Sequence, residues 1–185
     1  MMKHAFLLEK ISVERSFVEF DKLLRAPFWR KGLSALLASK AQDYLPELSQ
    51  SEPKLQNLLA SLENDFQFST SEQAWAALLL TLDVKTPIIF LKKWKTSSQF
   101  QKDVDKIVSI YQLRLHRDFD RADVYYYGKD LIYQAEKLRQ GYGMVSDFNR
   151  IDILDKNLTI HDKHEIVVNG GILIKEFGLK PGPQL

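Results

Sequence analysis

Apolar residues recur at helical spacing in segment 11–24, and this pattern constrains the fold more than any other feature of the chain. The spacings are three, four and seven residues, which place the side chains on one face of a helix. Ser12 is a favourable N-cap, and Glu14 puts negative charge at the positive end of the helix dipole. Arg15 and Glu19, four residues apart, are placed to pair on another face. The pattern predicts an amphipathic helix that buries Val13, Phe17, Phe20, Leu23 and Leu24.

The same periodicity runs through most of the remaining chain. Ser69 and Glu72 fit a capping box ahead of an apolar run at 74–82, which predicts a buried helix. Asp123 is predicted to cap a helix that runs to about residue 140, and another helix, from about residue 98, turns Leu115 inward. No segment alternates with period two between hairpin turns. We therefore expect an all-α fold, a compact array of short and medium helices with little or no strand.

Composition excludes several classes of protein. Of 185 residues, 45% are hydrophobic and 27% are charged, which is typical of a globular protein rather than a disordered one. Because the chain has no cysteine, it has no disulfide framework and no thiolate metal site. No apolar run approaches the roughly 18 residues of a membrane span, and no secretory signal opens the sequence. We expect a cytoplasmic protein that does not contact a membrane.

The formal net charge is only +2, but its distribution is uneven. Segment 40–65 has a local net charge of −3, whereas segment 92–117 has a local net charge of +5. A basic segment beside an acidic one indicates a surface that faces a polyanion, although a solvated helix face explains it equally well. The candidate RNA contacts in this segment are Lys92, Lys93, Lys95, Lys102, Lys106, Arg114 and Arg117.

The last residues of the chain form a second candidate anion site. Gly178 is suited to the left-handed end of one helix, and Pro181 or Pro183 to the start of the next. Free amides at that helix start, around Gly182 and beside Lys180, would suit a phosphate. A tight corner between helices is the alternative. Two further lysines, Lys163 and Lys175, are also candidate RNA contacts.

Two motifs carry a family resemblance. The first, Ile-Ser-x-Glu-Arg-x-x-x-Glu-Phe-x-Lys-Leu-Leu, begins at Ile11, and the second, Val-Asn-Gly-x-x-Leu-x-x-x-x-Gly-x-Lys-Pro-Gly-Pro-x-Leu, begins at Val168. Together they resemble bacterial CCA-adding tRNA nucleotidyltransferases of the Firmicute type. The resemblance covers essentially the whole chain and implies a partial neck domain at 1–45, a helical body at 46–157 and a truncated tail at 158–185. It implies a structural role for Ser12, Glu14, Arg15, Glu19 and Phe20.

The catalytic pattern of this family is missing. Its Gly-rich turn followed by Arg-Asp and a magnesium-binding Asp-x-Asp pair does not occur, nor does its nucleotide-recognising Glu-Asp-x-x-Arg motif. We therefore expect the C-terminal part of an enzyme, cut at both ends and inactive alone, with no catalytic residue, metal or cofactor of its own. The resemblance implies that the whole enzyme adds CCA to tRNA from CTP and ATP with Mg²⁺.

The expected role of this part is to hold the acceptor and TΨC arms of tRNA by shape and phosphate charge. The alternative is an all-α protein-interaction module without RNA binding. No protein partner is implied, and a homodimer stays open. The cluster of His161, Asp162 and His164 is interpreted as solvated polar residues rather than a metal site. The run 125–127 is Tyr-Tyr-Tyr, so at least one ring is expected to be exposed, either stacking on RNA or packing between helices.

Overall fold

The computed structural model describes residues 11–160 and 165, and all regular structure in these ranges is helical. No strand occurs among the described residues, which confirms the predicted all-α fold. A short 3-10 helix, Ala41–Tyr44, lies between the second and third α-helices. The α-helices are α1 Val13–Arg25, α2 Trp29–Ala38, α3 Glu52–Ser61, α4 Ser71–Thr81, α5 Pro87–Lys93, α6 Ser98–Leu113, α7 Arg121–Tyr127, α8 Lys129–Gly141 and α9 Phe148–Lys156.

Helix α1 starts and packs as its sequence predicts. Ser12 has extended backbone angles, and its hydroxyl accepts a hydrogen bond from the Arg15 amide at 3.3 Å. Phe20 and Leu24 are buried, and Phe17 and Leu23 pack partly buried against the same core. The apolar stripe of α1 therefore faces the interior, as the spacing requires. The predicted burial of Val13 is incomplete, because it lies in the exposed first turn.

Helix α4 is the centre of the fold. Residues 73–79 are all buried, because α4 packs against α1, α3, α6 and α8. Its predicted cap is wrong by one residue. Thr70, with extended backbone angles, accepts from the Gln73 amide at 3.1 Å, whereas the Ser69 amide donates to the Gln73 side chain at 2.8 Å. Thr70 rather than Ser69 is the N-cap of α4, because the Thr70 backbone leads directly into the first turn of the helix.

The single helix predicted from Asp123 is also wrong, since the structure has two helices there. Asp120 caps α7 by accepting from the Asp123 amide at 3.1 Å, and the Asp123 carboxylate accepts from the Asp120 amide at 2.8 Å. The two residues thus form a reciprocal capping box. Gly128, with φ +84°, then separates α7 from α8 in a conformation that a side chain would strain.

Aromatic rings join α1, α4 and α5 in one core. Phe20 stacks on Trp94 with ring centroids 5.7 Å apart, and Trp94 meets Trp75 edge to face at 4.9 Å. These two tryptophans are fully buried, and Trp29 is 1% exposed. The predicted neck and body segments therefore share a continuous interior, and the boundaries between them stay a prediction.

Helix α6 differs from expectation only at its end. Ser97 caps it by accepting from the Phe100 amide at 3.2 Å. Leu115, predicted to face inward, is 54% exposed because α6 ends at Leu113 and the chain turns. Among the described residues, no helix has the length and apolar character needed to cross a membrane.

Candidate nucleic-acid interface

The motif residues of α1 lie partly on the surface and partly in the core. Glu14 pairs with Lys95 at 3.0 Å, and its own backbone amide and then this ammonium lower the pKa of Glu14. Glu19 pairs with Lys22 at 3.2 Å, so the predicted pairing with Arg15 does not form. Arg15 makes no ion pair within the described part of the chain.

Sequence reasoning missed Asp21, which ties α1 to α4. Its buried carboxylate accepts hydrogen bonds from Trp75 Nε1 at 3.2 Å, from Ser71 Oγ at 2.9 Å and from Arg25 Nε at 3.1 Å. A charge this well bonded is tolerated in an interior. In the sequence, Asp21 follows Phe20 at the edge of the apolar stripe of α1. An Asp exposed to solvent would show the same pattern, so this position alone does not reveal that Asp21 is buried.

Three predicted RNA contacts lie at the end of α5 and just beyond it, and all three are exposed. Lys93 pairs with Glu47 at 2.8 Å, and Lys95 pairs with Glu14. Lys92 has no ion-pair partner among residues 11–160. Because exposed pairs of this kind contribute about 0–1 kcal/mol, a phosphate can replace either carboxylate at little cost.

Two further predicted contacts lie one turn apart on α6 and therefore share a side of the helix. Lys102 is exposed and has no ion pair with any residue that the structure describes. Lys106 is half-buried, and its ammonium donates to the Tyr126 carbonyl at 3.2 Å. The same ammonium lies 5.6 Å from the centroid of the Tyr126 ring.

Arg114 is turned toward the interior. Its side chain is 7% exposed, its Nε donates to Glu136 Oε1 at 2.8 Å, and its Nη1 bonds Asp118. Burial alone would lower the pKa of Arg114, but the hydrogen bond and charge of Glu136 raise it above its usual value. An RNA contact by Arg114 stays a prediction, and this position does not favour it.

Arg117 is half-exposed and holds α7 by a two-pronged hydrogen bond. Its Nη1 and Nη2 donate to the two Asp123 carboxylate oxygens at 2.6 and 2.8 Å. Burial alone would raise the pKa of Asp123, but the hydrogen bonds from Arg117 and the Asp120 amide, with the Arg117 charge, bring it below its usual value. The Arg117 guanidinium is thus engaged within the fold, and an RNA contact by Arg117 stays a prediction.

Several predicted positions lie outside the described residues, namely Lys163, Lys175, Lys180 and Gly182, together with His161, Asp162 and His164. The expected absence of an Asp-x-Asp pair is wrong for the bare spacing, which occurs at 103/105 and 118/120, but in neither case does a Gly-rich turn precede it. Within the described ranges, no three His, Cys, Asp or Glu residues gather in a way that could hold a metal ion.

Two protein-family models match the chain. The model described as tRNA nucleotidyltransferase domain 2, putative, matches residues 66–185. The model described as the probable RNA and SrmB-binding site of polymerase A matches residues 1–51. The first covers well over half of the chain.

Individual relatives agree with the family models. The CCA-adding enzymes of Streptococcus mutans and Streptococcus thermophilus are 60% and 57% identical over all 185 residues, and the chain spans 46% of the length of each. A crystal structure of the Bacillus stearothermophilus CCA-adding enzyme in complex with CTP is also similar. The match covers 99% of this chain and 47% of the chain in that crystal structure. That match has a TM-score of 0.84 and 27% identity. The chain therefore belongs to the family of CCA-adding tRNA nucleotidyltransferases, as the C-terminal part of a Firmicute-type enzyme.

Proposed function

We propose that this chain binds tRNA through the exposed lysines of α5 and α6. The observation that carries the proposal is the availability of these side chains. Lys92 and Lys102 are exposed and unpaired within the described residues, and Lys93 and Lys95 have only exposed carboxylates as partners. Folded RNA is held mainly through its phosphates, its 2′-hydroxyls and its shape, which suits a rigid helical surface carrying such lysines.

In the whole enzyme, this surface would hold the acceptor and TΨC arms while another part adds C, C and A to the 3′ end. CTP, ATP and Mg²⁺ would serve that other part, where carboxylates would hold the metal ions. The names of the relatives support CCA addition by a whole enzyme of this kind, since they are CCA-adding enzymes and one was crystallised with CTP, and this chain spans only 46–47% of their lengths. Contacts by Lys163, Lys175, Lys180 and Gly182 remain part of the same proposal.

The test is the salt dependence of tRNA binding, measured by fluorescence anisotropy with a tRNA that lacks its 3′ CCA. Removing one lysine–phosphate interaction should flatten the log–log salt slope by roughly one unit, so Lys92→Gln with Lys102→Gln should flatten it by roughly two. Lys137→Gln is the matched control, because this exposed lysine on α8 lies outside the basic segment. Its slope should equal that of the wild type.

Two outcomes would contradict the proposal. If the wild-type chain does not bind tRNA at low salt, the alternative of a helical protein-interaction module is favoured. If the purified chain alone incorporates labelled CTP or ATP with Mg²⁺, the chemistry does not lie elsewhere in the enzyme.

A further inference from the structure

The structure separates the roles of three consecutive tyrosines. Tyr127 is half-buried against the core, whereas Tyr125 is 40% exposed and Tyr126 is 67% exposed. The Tyr126 and Tyr127 rings meet edge to face with their centroids 4.9 Å apart. Tyr126 is therefore a largely solvent-facing ring braced by a packed neighbour.

Lys106 adds a positive charge to this ring. Its ammonium lies 5.6 Å from the Tyr126 centroid and also bonds the Tyr126 carbonyl at 3.2 Å, so the lysine and the ring stay together. A cation at this distance is attracted to the π-system. Since Tyr126 is still two-thirds exposed, a flat partner can reach the ring without displacing the lysine.

The surroundings favour RNA over an apolar protein segment as that partner. Lys102 lies exposed one turn before Lys106 on the same side of α6. An unpaired nucleotide brings both a flat base for the ring and a phosphate for these ammonium groups. An apolar side chain would gain nothing from the lysines and would desolvate them.

We propose that Tyr126, backed by Lys106, is a stacking site for an unpaired base of the bound RNA. This inference rests on the proposed function, because it adds a base contact to a surface that holds phosphates. Aromatic stacking of this kind tolerates any base, so the site selects unpaired nucleotides rather than a sequence.

The substitution Tyr126→Trp places a fluorescent side chain at the proposed stacking site, so its emission reports directly on binding there. The three native tryptophans are at most 1% exposed, so Trp at position 126 would be the one accessible to acrylamide. Binding of tRNA should quench its emission and protect it from acrylamide, whereas a fully paired RNA duplex should do neither. Ile153→Trp is the matched control, because this residue is 50% exposed on α9, outside the basic segment and away from the candidate RNA contacts of α5 and α6. Its accessibility should not change.

Affinity provides the second measurement. Tyr126→Phe should bind tRNA like the wild type, and Tyr126→Leu should bind roughly 5- to 150-fold more weakly, the range expected when one aromatic–base stack is removed. The salt slope of Tyr126→Leu should not change, because the substitution leaves every phosphate interaction in place.

The outcomes keep the two proposals apart. If tRNA binds but leaves the Trp at position 126 as accessible as before, or if Tyr126→Leu binds with wild-type affinity, the stacking site is overturned and the phosphate-binding surface stands. Equal protection by a fully paired duplex also overturns stacking. If the chain binds no RNA at all, the proposed function is contradicted, and the stacking site that rests on it is contradicted as well.

Discussion

The fully buried carboxylate of Glu136 accepts a hydrogen bond from Arg114 Nε at 2.8 Å, which joins α8 to α6. Its second oxygen accepts from the Asp147 amide at 2.9 Å, at the start of α9. Arg139 Nε lies 3.3 Å from the first oxygen, as an ion pair without a hydrogen bond. One carboxylate thus holds three segments and balances two buried guanidinium groups.

Removing that carboxylate should be costly. Glu136→Ala leaves Arg139 buried without a counter-charge and Arg114 with only the exposed Asp118, a change that typically costs about 3–5 kcal/mol of the free energy of unfolding. Urea denaturation measures it. Glu47→Ala, which breaks an exposed pair with Lys93, should cost no more than about 1 kcal/mol. Equal losses in the free energy of unfolding would show that the buried network contributes no more to stability than the exposed pair does.

The pairing of Asp123 should appear as a pH dependence of stability. Because its pKa is lower in the folded chain than in the unfolded one, its ionised form stabilises the fold at neutral pH. That contribution should be lost as the pH falls from about 4 through the lowered pKa. The stability difference between wild type and Asp123→Asn, measured by denaturation across the pH range, should therefore shrink in acid. A difference that is constant with pH would contradict this assignment.

Two helical glycines should respond differently to a methyl group. A Cβ on Gly141 would overlap the ring of Phe66, which is itself buried. Gly141→Ala should therefore cost about 1–3 kcal/mol by overpacking. A Cβ on Gly32 would lie 3.2 Å from the Leu23 side chain, which needs only a small shift. Since Ala also favours helix by about 1 kcal/mol, Gly32→Ala should stay near wild-type stability. Thermal melts rank the two variants, and a reversed order would contradict the packing.

Freeing a paired lysine should strengthen RNA binding. Glu47→Gln leaves Lys93 without its carboxylate, so the lysine can meet a phosphate without first losing a partner. We expect tighter tRNA binding and a salt slope steeper by up to roughly one unit. Glu52→Gln removes a carboxylate that accepts from Gln56 rather than from a lysine, and it should leave the slope unchanged. Identical slopes for both variants would show that Lys93 lies outside the RNA surface.

Periodicity and capping chemistry predicted the fold because both act over a few residues. Ser12 and Ser97 cap their helices as expected, and Phe20 and Leu24 face the core. The errors arose where local chemistry offers two equivalent answers. Asp120 and Asp123 can each cap a helix, and only the reciprocal bonding in the structure decides between them.

The candidate surface could be predicted only in part, because charge along a sequence does not show where partners lie in space. Arg114 and Lys92 belong to the same basic segment, yet Arg114 is turned to Glu136, 22 residues further along the chain. The partner of Lys95 is 81 residues away. No local pattern carries such information. The exposure of Tyr126, rather than of its neighbours, likewise depends on how α7 packs.

The hydrogen bond between Asp21 and Trp75 can form only late during synthesis of this part of the chain, once both residues are available. The two residues are 54 positions apart, so Asp21 leaves the ribosome before its partner does. At 5–20 residues per second, the delay is roughly 3–11 s. During this interval the carboxylate stays hydrated, and the apolar stripe of α1 has no finished surface to cover it. Translation speed through segment 22–75 therefore sets how long this newborn helix is exposed to chaperones and proteases.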